Sequence, residues 1–179
     1  MNQSTRSSGS DEMYQEAAAT CGAALKRLVH AYEAAPEKRR DLLQEIHIAI
    51  WKSFVRFNGS CSLSTWVFRI AHNVAASHVL RERRRNRVRM VGLEELDTAF
   101  GAPDSLQVVA EHQALARLTD LIRQLIPIDR QVILSYLEGM DAEAISGITG
   151  LSTSNVATKI HRIKEVLRKR FKARDFDEQ

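Results

Sequence analysis

Residues 141–164 read DAEAISGITGLSTSNVATKIHRIK, and this stretch decides the fold. Asp141 stands just ahead of an apolar-periodic run and is predicted to cap a helix, with Ala144 and Ile145 one turn inside. Gly150 falls where the chain must reverse, and glycine takes the positive φ that such a turn needs. Ser152 is predicted to cap a second helix. In it Val156, Ile160, Ile163, Leu167 and Phe171 recur at helical spacing, so one stripe is buried. The other face carries Thr153, Ser154, Asn155, Thr158, Lys159 and Arg162. Hydrogen-bonding groups and cations at the leading end of a helix suit a helix-turn-helix that enters the major groove of duplex DNA.

The rest of the chain fits an all-α protein. Hydrophobic residues make up 44% of 179 positions, enough for real cores, while 6% aromatics and three prolines argue against a β-sandwich. A net charge of +4 allows an anionic partner. Cys21 and Cys61 are too few for a disulfide framework and lack metal-ligand spacing, which suits thiols in a reducing cytoplasm. No apolar run reaches the length of a membrane span, and residues 1–10 lack the apolar segment of a signal peptide. They read as a disordered polar tail, and a cytoplasmic location is expected.

Outward from the helix-turn-helix, the pattern resolves into two small helical domains. The first covers residues 11–90. A first helix is predicted over about 11–32, with Ala17, Cys21, Ala24, Leu25 and Leu28 on one side. Pro36 opens a second, whose stripe is Leu42, Leu43, Ile46, Ile50, Phe54 and Phe57. A polar loop follows from Asn58, and Ser64 or Thr65 is predicted to cap a third helix through Trp66, Val67, Ile70 and Val74. From Met90 to Ala116 there is no lysine or arginine, but several acids and helix breakers, so residues 91–107 read as an acidic linker. The second domain, 108–174, starts with the stripe Leu115, Leu118, Leu121, Ile122 and Leu125. Pro127 is predicted to end that helix, Asp129 to cap the next, and Gly139 to close it.

Several clusters are candidates for function. Arg81, Arg83, Arg84, Arg85, Arg87 and Arg89 are interrupted only by Glu82 among charged residues and lack balancing acids at i,i+4, so an anionic partner such as nucleic acid is expected to neutralise them. A second basic block runs from Lys159 to Arg174, and Lys159 and Arg162 are the members best placed for base edges. The loop from Asn58, bounded by Phe57 and Trp66 and followed by Arg69 and Asn73, has the composition of a site for unstacked bases, although both aromatics adjoin apolar stripes and are themselves expected to be core residues. Asp41, Glu45 and Ile48 share a helix face away from the core, which suits a protein partner or plain solvent. The histidines have no metal-site spacing, and no nucleophile motif or phosphate loop is present, so no enzyme chemistry, metal or cofactor is expected.

Taken together, these motifs resemble the bacterial sigma-70 RNA polymerase sigma factors of the extracytoplasmic-function type, from about Tyr14 to Phe171. DLLQEI at 41–46 and FNGSCSLSTWVFRIAHN at 57–73 look like sigma region two. DRQVIL at 129–134, LEGM at 137–140 and the helix-turn-helix with its KIHR at 159–162 look like sigma region four. The resemblance implies a non-catalytic factor that binds core RNA polymerase, recognises promoter DNA and assists its melting. It implies that Asp41, Gln44, Glu45 and Ile48 dock on the β′ clamp. Asn58, Gly59, Ser60, Cys61, Ser62, Leu63 and Ser64 would capture a flipped base of the minus-ten element, and Arg69, Asn73, Arg81, Arg84 and Arg85 would lie along the same DNA. Thr153, Ser154, Asn155, Thr158, Lys159 and Arg162 would read the minus-thirty-five element. The β flap and an anti-sigma factor are further implied partners, and the acidic linker would thread toward the polymerase cleft. Ser77 departs from the usual Asp, Ser146 from the usual alanine, and Pro127 stands one place late. Two other readings stay open: an autonomous helix-turn-helix regulator, which leaves the first domain idle, and a sigma-like module that sequesters an anti-sigma factor without touching DNA.

Overall fold

The structure, a computed structural model, describes residues 4–89 and 106–177, with side chains over 9–85 and 113–172. These residues form seven α-helices and one short 3-10 turn, with no strand among them. The first unit holds α1 (Ser4–Tyr32), α2 (Pro36–Ser53), the 3-10 turn Phe54–Arg56 and α3 (Leu63–Arg89). The second holds α4 (Leu106–Arg123), α5 (Pro127–Leu137), α6 (Ala142–Thr149) and α7 (Thr153–Asp177). The acidic stretch 91–105 lies outside the described residues, while Leu106 and Gln107, read as its end, already belong to α4.

The apolar stripes bury as their spacing requires. Ala17, Cys21, Leu25 and Leu28 of α1 meet Leu42, Ile46 and Ile50 of α2 and Val67, Ala71 and Ala75 of α3. In the second unit, Leu121, Val132, Ile145, Val156 and Ile163 close around one another, and each large buried aliphatic contributes about 1.5–3 kcal/mol.

Several boundaries differ from the sequence reading. The polar tail assigned to residues 1–10 is helical from Ser4. Extending an existing helix needs no new nucleus, and Trp51 Nε1 anchors this end by donating to Asp11 Oδ1 at 2.8 Å. The cap of α3 is Ser62, not Ser64 or Thr65: its Oγ accepts from the Thr65 amide at 3.1 Å. Pro127 begins α5 rather than ending α4, because proline at the first turn gives up an amide that has no helical partner. Asp129 therefore lies inside α5 and caps nothing; Ile126 takes the cap position.

The two units also pack on each other. Helix α3 meets α5 and α6, and α1 meets α4, so one hydrophobic cluster runs through both. Polar contacts cross the same seam. Arg27 donates twice to Glu138, at 2.8 and 2.6 Å. Arg123 donates to the His30 carbonyl at 3.1 Å. His72, fully buried, is hydrogen-bonded to Tyr32 Oη at 3.0 Å and to Ser135 Oγ at 3.2 Å. The Arg130 guanidinium lies 4.8 Å from the centre of the Tyr32 ring.

Candidate nucleic-acid interface

The helix-turn-helix is built as its sequence dictates. Asp141 Oδ1 accepts from the Ala144 amide at 2.8 Å, capping α6. Gly150 ends α6 at φ 76°, in the left-handed region that a side chain adopts at a cost. Ser146 donates to the Leu151 carbonyl at 2.6 Å and so ties the turn to α6. Ser152 Oγ lies 3.4 Å from the Asn155 amide and caps α7. Beyond this cap Thr153, Ser154, Asn155, Thr158 and Arg162 are exposed on the leading turns of a helix whose Val156 and Ile163 are buried. Five of the six residues expected to face DNA are thus presented together.

Lys159 is the exception. Its Nζ lies 2.5 Å from Asp129 Oδ1, and the two side chains are 23% and 13% exposed. A cation held this way is not free to read a base edge; it fastens α7 to α5. The periodicity could not distinguish the two roles, since position 159 borders both the polar face and the stripe. Conversely, His161 and Ala157 are exposed on the leading half of α7 and were not singled out. Their place one turn from Thr158 and Ser154 is the signal that would have found them.

The second surface centres on the start of α3. Asn58, Gly59 and Ser60 are exposed, and Asn58 Oδ1 accepts from the Ser60 amide at 3.1 Å, forming a tight polar turn with Gly59 at φ 73°. Cys61 is partly exposed and its thiol is free, and Ser62 is exposed. Leu63 and Ser64 are not loop residues: both lie in the first turn of α3, Leu63 packed against the core and Ser64 Oγ accepting from the Cys21 thiol at 3.8 Å. Phe57 and Trp66 pack on each other with ring centres 5.4 Å apart, and Trp66 Nε1 donates to Ser53 Oγ at 2.9 Å. They are supports beneath the loop more than open platforms.

Along α3 the basic residues are held differently from one another. Arg69 stacks 5.8 Å from the Trp66 ring and donates through Nε to the Gly147 carbonyl of α6 at 2.7 Å. Asn73 and Ser77 are exposed. Arg81 pairs with Glu45 at 2.5 Å, and Arg85 with Glu82 at 3.3 Å. Glu82 also takes Lys38, and that hydrogen bond, ahead of the one from Arg85, holds its carboxyl below the usual range. The arginine run therefore has balancing acids, but Glu45 comes from α2, out of reach of a same-helix pattern. Arg83 and Arg84 remain exposed.

On α2, Asp41, Gln44 and Glu45 are exposed beside Ile48 at 46% exposure. Trp51 and Val55, one and two turns on, are also exposed and extend this face into an apolar strip. A groove lined by Glu45, Ile48, Lys52, Asn73, Ser77 and Arg81 joins it to α3, so the two candidate sites of the first unit share one edge. Among the described residues no group of His, Cys, Asp and Glu is arranged to hold a metal ion, and no helix is long and apolar enough to cross a membrane.

Comparison with known proteins agrees with this geometry. The family model described as Sigma-70 region 2 matches residues 18–85, and that described as Sigma-70, region 4 matches residues 115–167. The chain is 30% identical over 134 residues to the ECF RNA polymerase sigma factor SigX of Bacillus subtilis, covering 72% of this chain and 68% of that protein. Its fold is similar to that of CnrH in complex with the cytosolic domain of CnrY, with a TM-score of 0.66 at 22% identity over 95% of this chain and 94% of that one. It is equally similar, at a TM-score of 0.66 and 20% identity over 87% and 93% of the chains, to the sigma factor RpoE in complex with the anti-sigma factor NepR from Bartonella quintana.

Proposed function

This chain belongs to the sigma-70 family of RNA polymerase sigma factors, in its extracytoplasmic-function branch, and from that premise we infer how its two units divide the start of transcription. It is a regulator of transcription that acts with core RNA polymerase on promoter DNA. Residues 18–85 form the unit that docks on the polymerase and takes the minus-ten element; residues 115–167 form the unit that reads the minus-thirty-five element. The observation that carries this division is the pairing of a capped, solvent-facing α7 with a separate polar loop at the head of α3.

In the second unit, Thr153, Ser154, Asn155, Thr158 and Arg162 reach into the major groove, with Arg162 suited to guanine. In the first, Asn58 to Ser62 hold a base taken out of the stack, and Arg69, Asn73, Arg84 and Arg85 follow the phosphates of the melted strand. Unstacking costs a few kcal/mol, which base capture and phosphate contacts offset. Asp41, Gln44, Glu45 and Ile48, extended by Trp51 and Val55, dock on the β′ clamp, and the second unit lies at the β flap. The protein acts in the cytoplasm, where the polymerase is, and uses no catalytic residue. A solved sigma factor of similar fold is held by an anti-sigma factor, which supports a partner of that kind here.

The test is promoter transcription with purified core polymerase, with and without this chain, alongside co-elution of the two on gel filtration. Specific initiation that needs the chain is expected. Duplex binding without core association would support the autonomous regulator instead, and neither activity would support the sequestering module.

A further inference from the structure

We propose that Asp11, near the amino end of α1, is a positioning residue for polymerase docking: it holds the Trp51 indole in the pose that meets the β′ clamp. This rests on the reading of α2 as the docking face. Asp41, Gln44, Ile48, Trp51 and Val55 recur every three or four positions, so they share one side of α2 and the turn after it. Trp51 is the largest side chain on that side and is 43% exposed. Tryptophan is among the side chains that carry most of the energy of an interface. Here its Nε1 donates to Asp11 Oδ1 at 2.8 Å, across 40 positions of sequence.

The bond ties down the end of α1, but its larger effect is on the ring. Both partners are exposed and water would satisfy either, so the net worth of the bond to folding is small. What it supplies is orientation. A freely turning indole would lose its freedom only on docking, and that loss would weaken binding. The acceptor is itself fixed. Met13 and Tyr14 pack on the core, Ala17 is buried, and Tyr14 Oη lies 3.0 Å from His47 Nδ1, one turn before Trp51. Residues 11 and 14 of α1 thus meet residues 51 and 47 of α2 as two rungs along one flank of the docking face. On the other flank Arg81 of α3 holds Glu45 at 2.5 Å. The face is set from both sides before the polymerase arrives.

Variants of the full chain test this against purified core polymerase, by competition with the parent chain carrying a C-terminal fluorescein. Asp11→Ala removes the acceptor, and Asp11→Asn keeps an acceptor without the charge. Trp51→Phe keeps an aromatic ring without the donor, and Asp11→Ala with Trp51→Phe completes the cycle. Asp11→Ala is expected to weaken core binding roughly threefold to tenfold, the cost of ordering one large side chain on docking. Asp11→Asn should bind like the parent. In the Trp51→Phe background Asp11→Ala should change nothing further. The Trp51 indole N–H resonance, assigned by its loss in Trp51→Phe, should move in Asp11→Ala and exchange faster with water, while the melting temperature stays near that of the parent. Parent affinity in Asp11→Ala would overturn the proposal. So would an equal loss in Asp11→Asn, or an equal loss from Asp11→Ala in the Trp51→Phe background, since Asp11 would then meet the clamp itself. A Trp51→Ala chain that binds core as the parent does would instead remove Trp51 from the docking face, and the proposal would fall with that reading.

Discussion

The leading face of α7 and the leading face of α3 are both candidates for DNA, yet they are made in opposite ways. The α7 face is assembled locally: Asp141, Gly150 and Ser152 fix a turn, and the exposed residues follow within a few positions. The α3 face is assembled across the chain, by Ser53 and Trp66 beneath the loop and by Gly147 above Arg69. A locally built face stands open in the free protein, whereas a face built by long-range contacts is defined by whatever covers it.

The largest effect that probes this contrast comes from the core that joins the two. Ile145 is fully buried in α6. Ile145→Ala should cost about 2–5 kcal/mol. Because one hydrophobic cluster spans both units, hydrogen exchange should show amides of α3 losing protection along with those of α6 and α7. Protection lost in the second unit alone would mean that the seam adds little to stability.

Acid should act on the α3 side next. Burial pushes the His72 imidazole down to about 3 from an ordinary 6.5. The unfolded chain then binds a proton below pH 6.5 that the folded chain refuses. The contribution is fully present above 6.5 and is lost as pH falls toward 3, by up to about 1.4 kcal/mol per pH unit. Urea midpoints at pH 7.5 and 5 measure it, and the difference should shrink in His72→Phe.

On the α7 side, Arg162→Ala and Lys159→Ala should separate. Loss of a base contact at Arg162 should cost about 1–3 kcal/mol and relax one promoter position. Lys159→Ala should weaken upstream-dependent promoters without relaxing any single position, and a Lys159→Asp, Asp129→Lys exchange should recover part of the loss. Promoter-library transcription distinguishes the two patterns. The smallest effect is expected from Ser152→Ala, about 1 kcal/mol of stability from the lost cap of α7, read from thermal melts.

What could be read in advance follows the same division. Asp141, Gly150, Ser152 and the stripe led by Val156 were legible because caps, turns and helical periods act within a few residues. So was the grouping of Asp41, Gln44 and Glu45, which one helix places together. Pro127 and Asp129 were misread because proline both ends and begins helices, and sequence alone does not choose. The pairs Lys159 with Asp129 and Arg81 with Glu45 span 30 and 36 positions, so no local pattern announces them. The contact of Arg69 with Gly147 spans 78, and with it the whole seam was invisible.

The central claim is that the loop before α3 captures melted DNA while α7 reads duplex. Permanganate reactivity of thymines around the start site tests it most directly, with core polymerase plus the parent chain or a chain lacking Ser60 and Cys61, which keeps the Ser62 cap of α3. The parent should make the thymines reactive. The shortened chain should still bind core and still protect the upstream element, yet leave the thymines unreactive. Normal reactivity with the shortened loop would contradict base capture at this site.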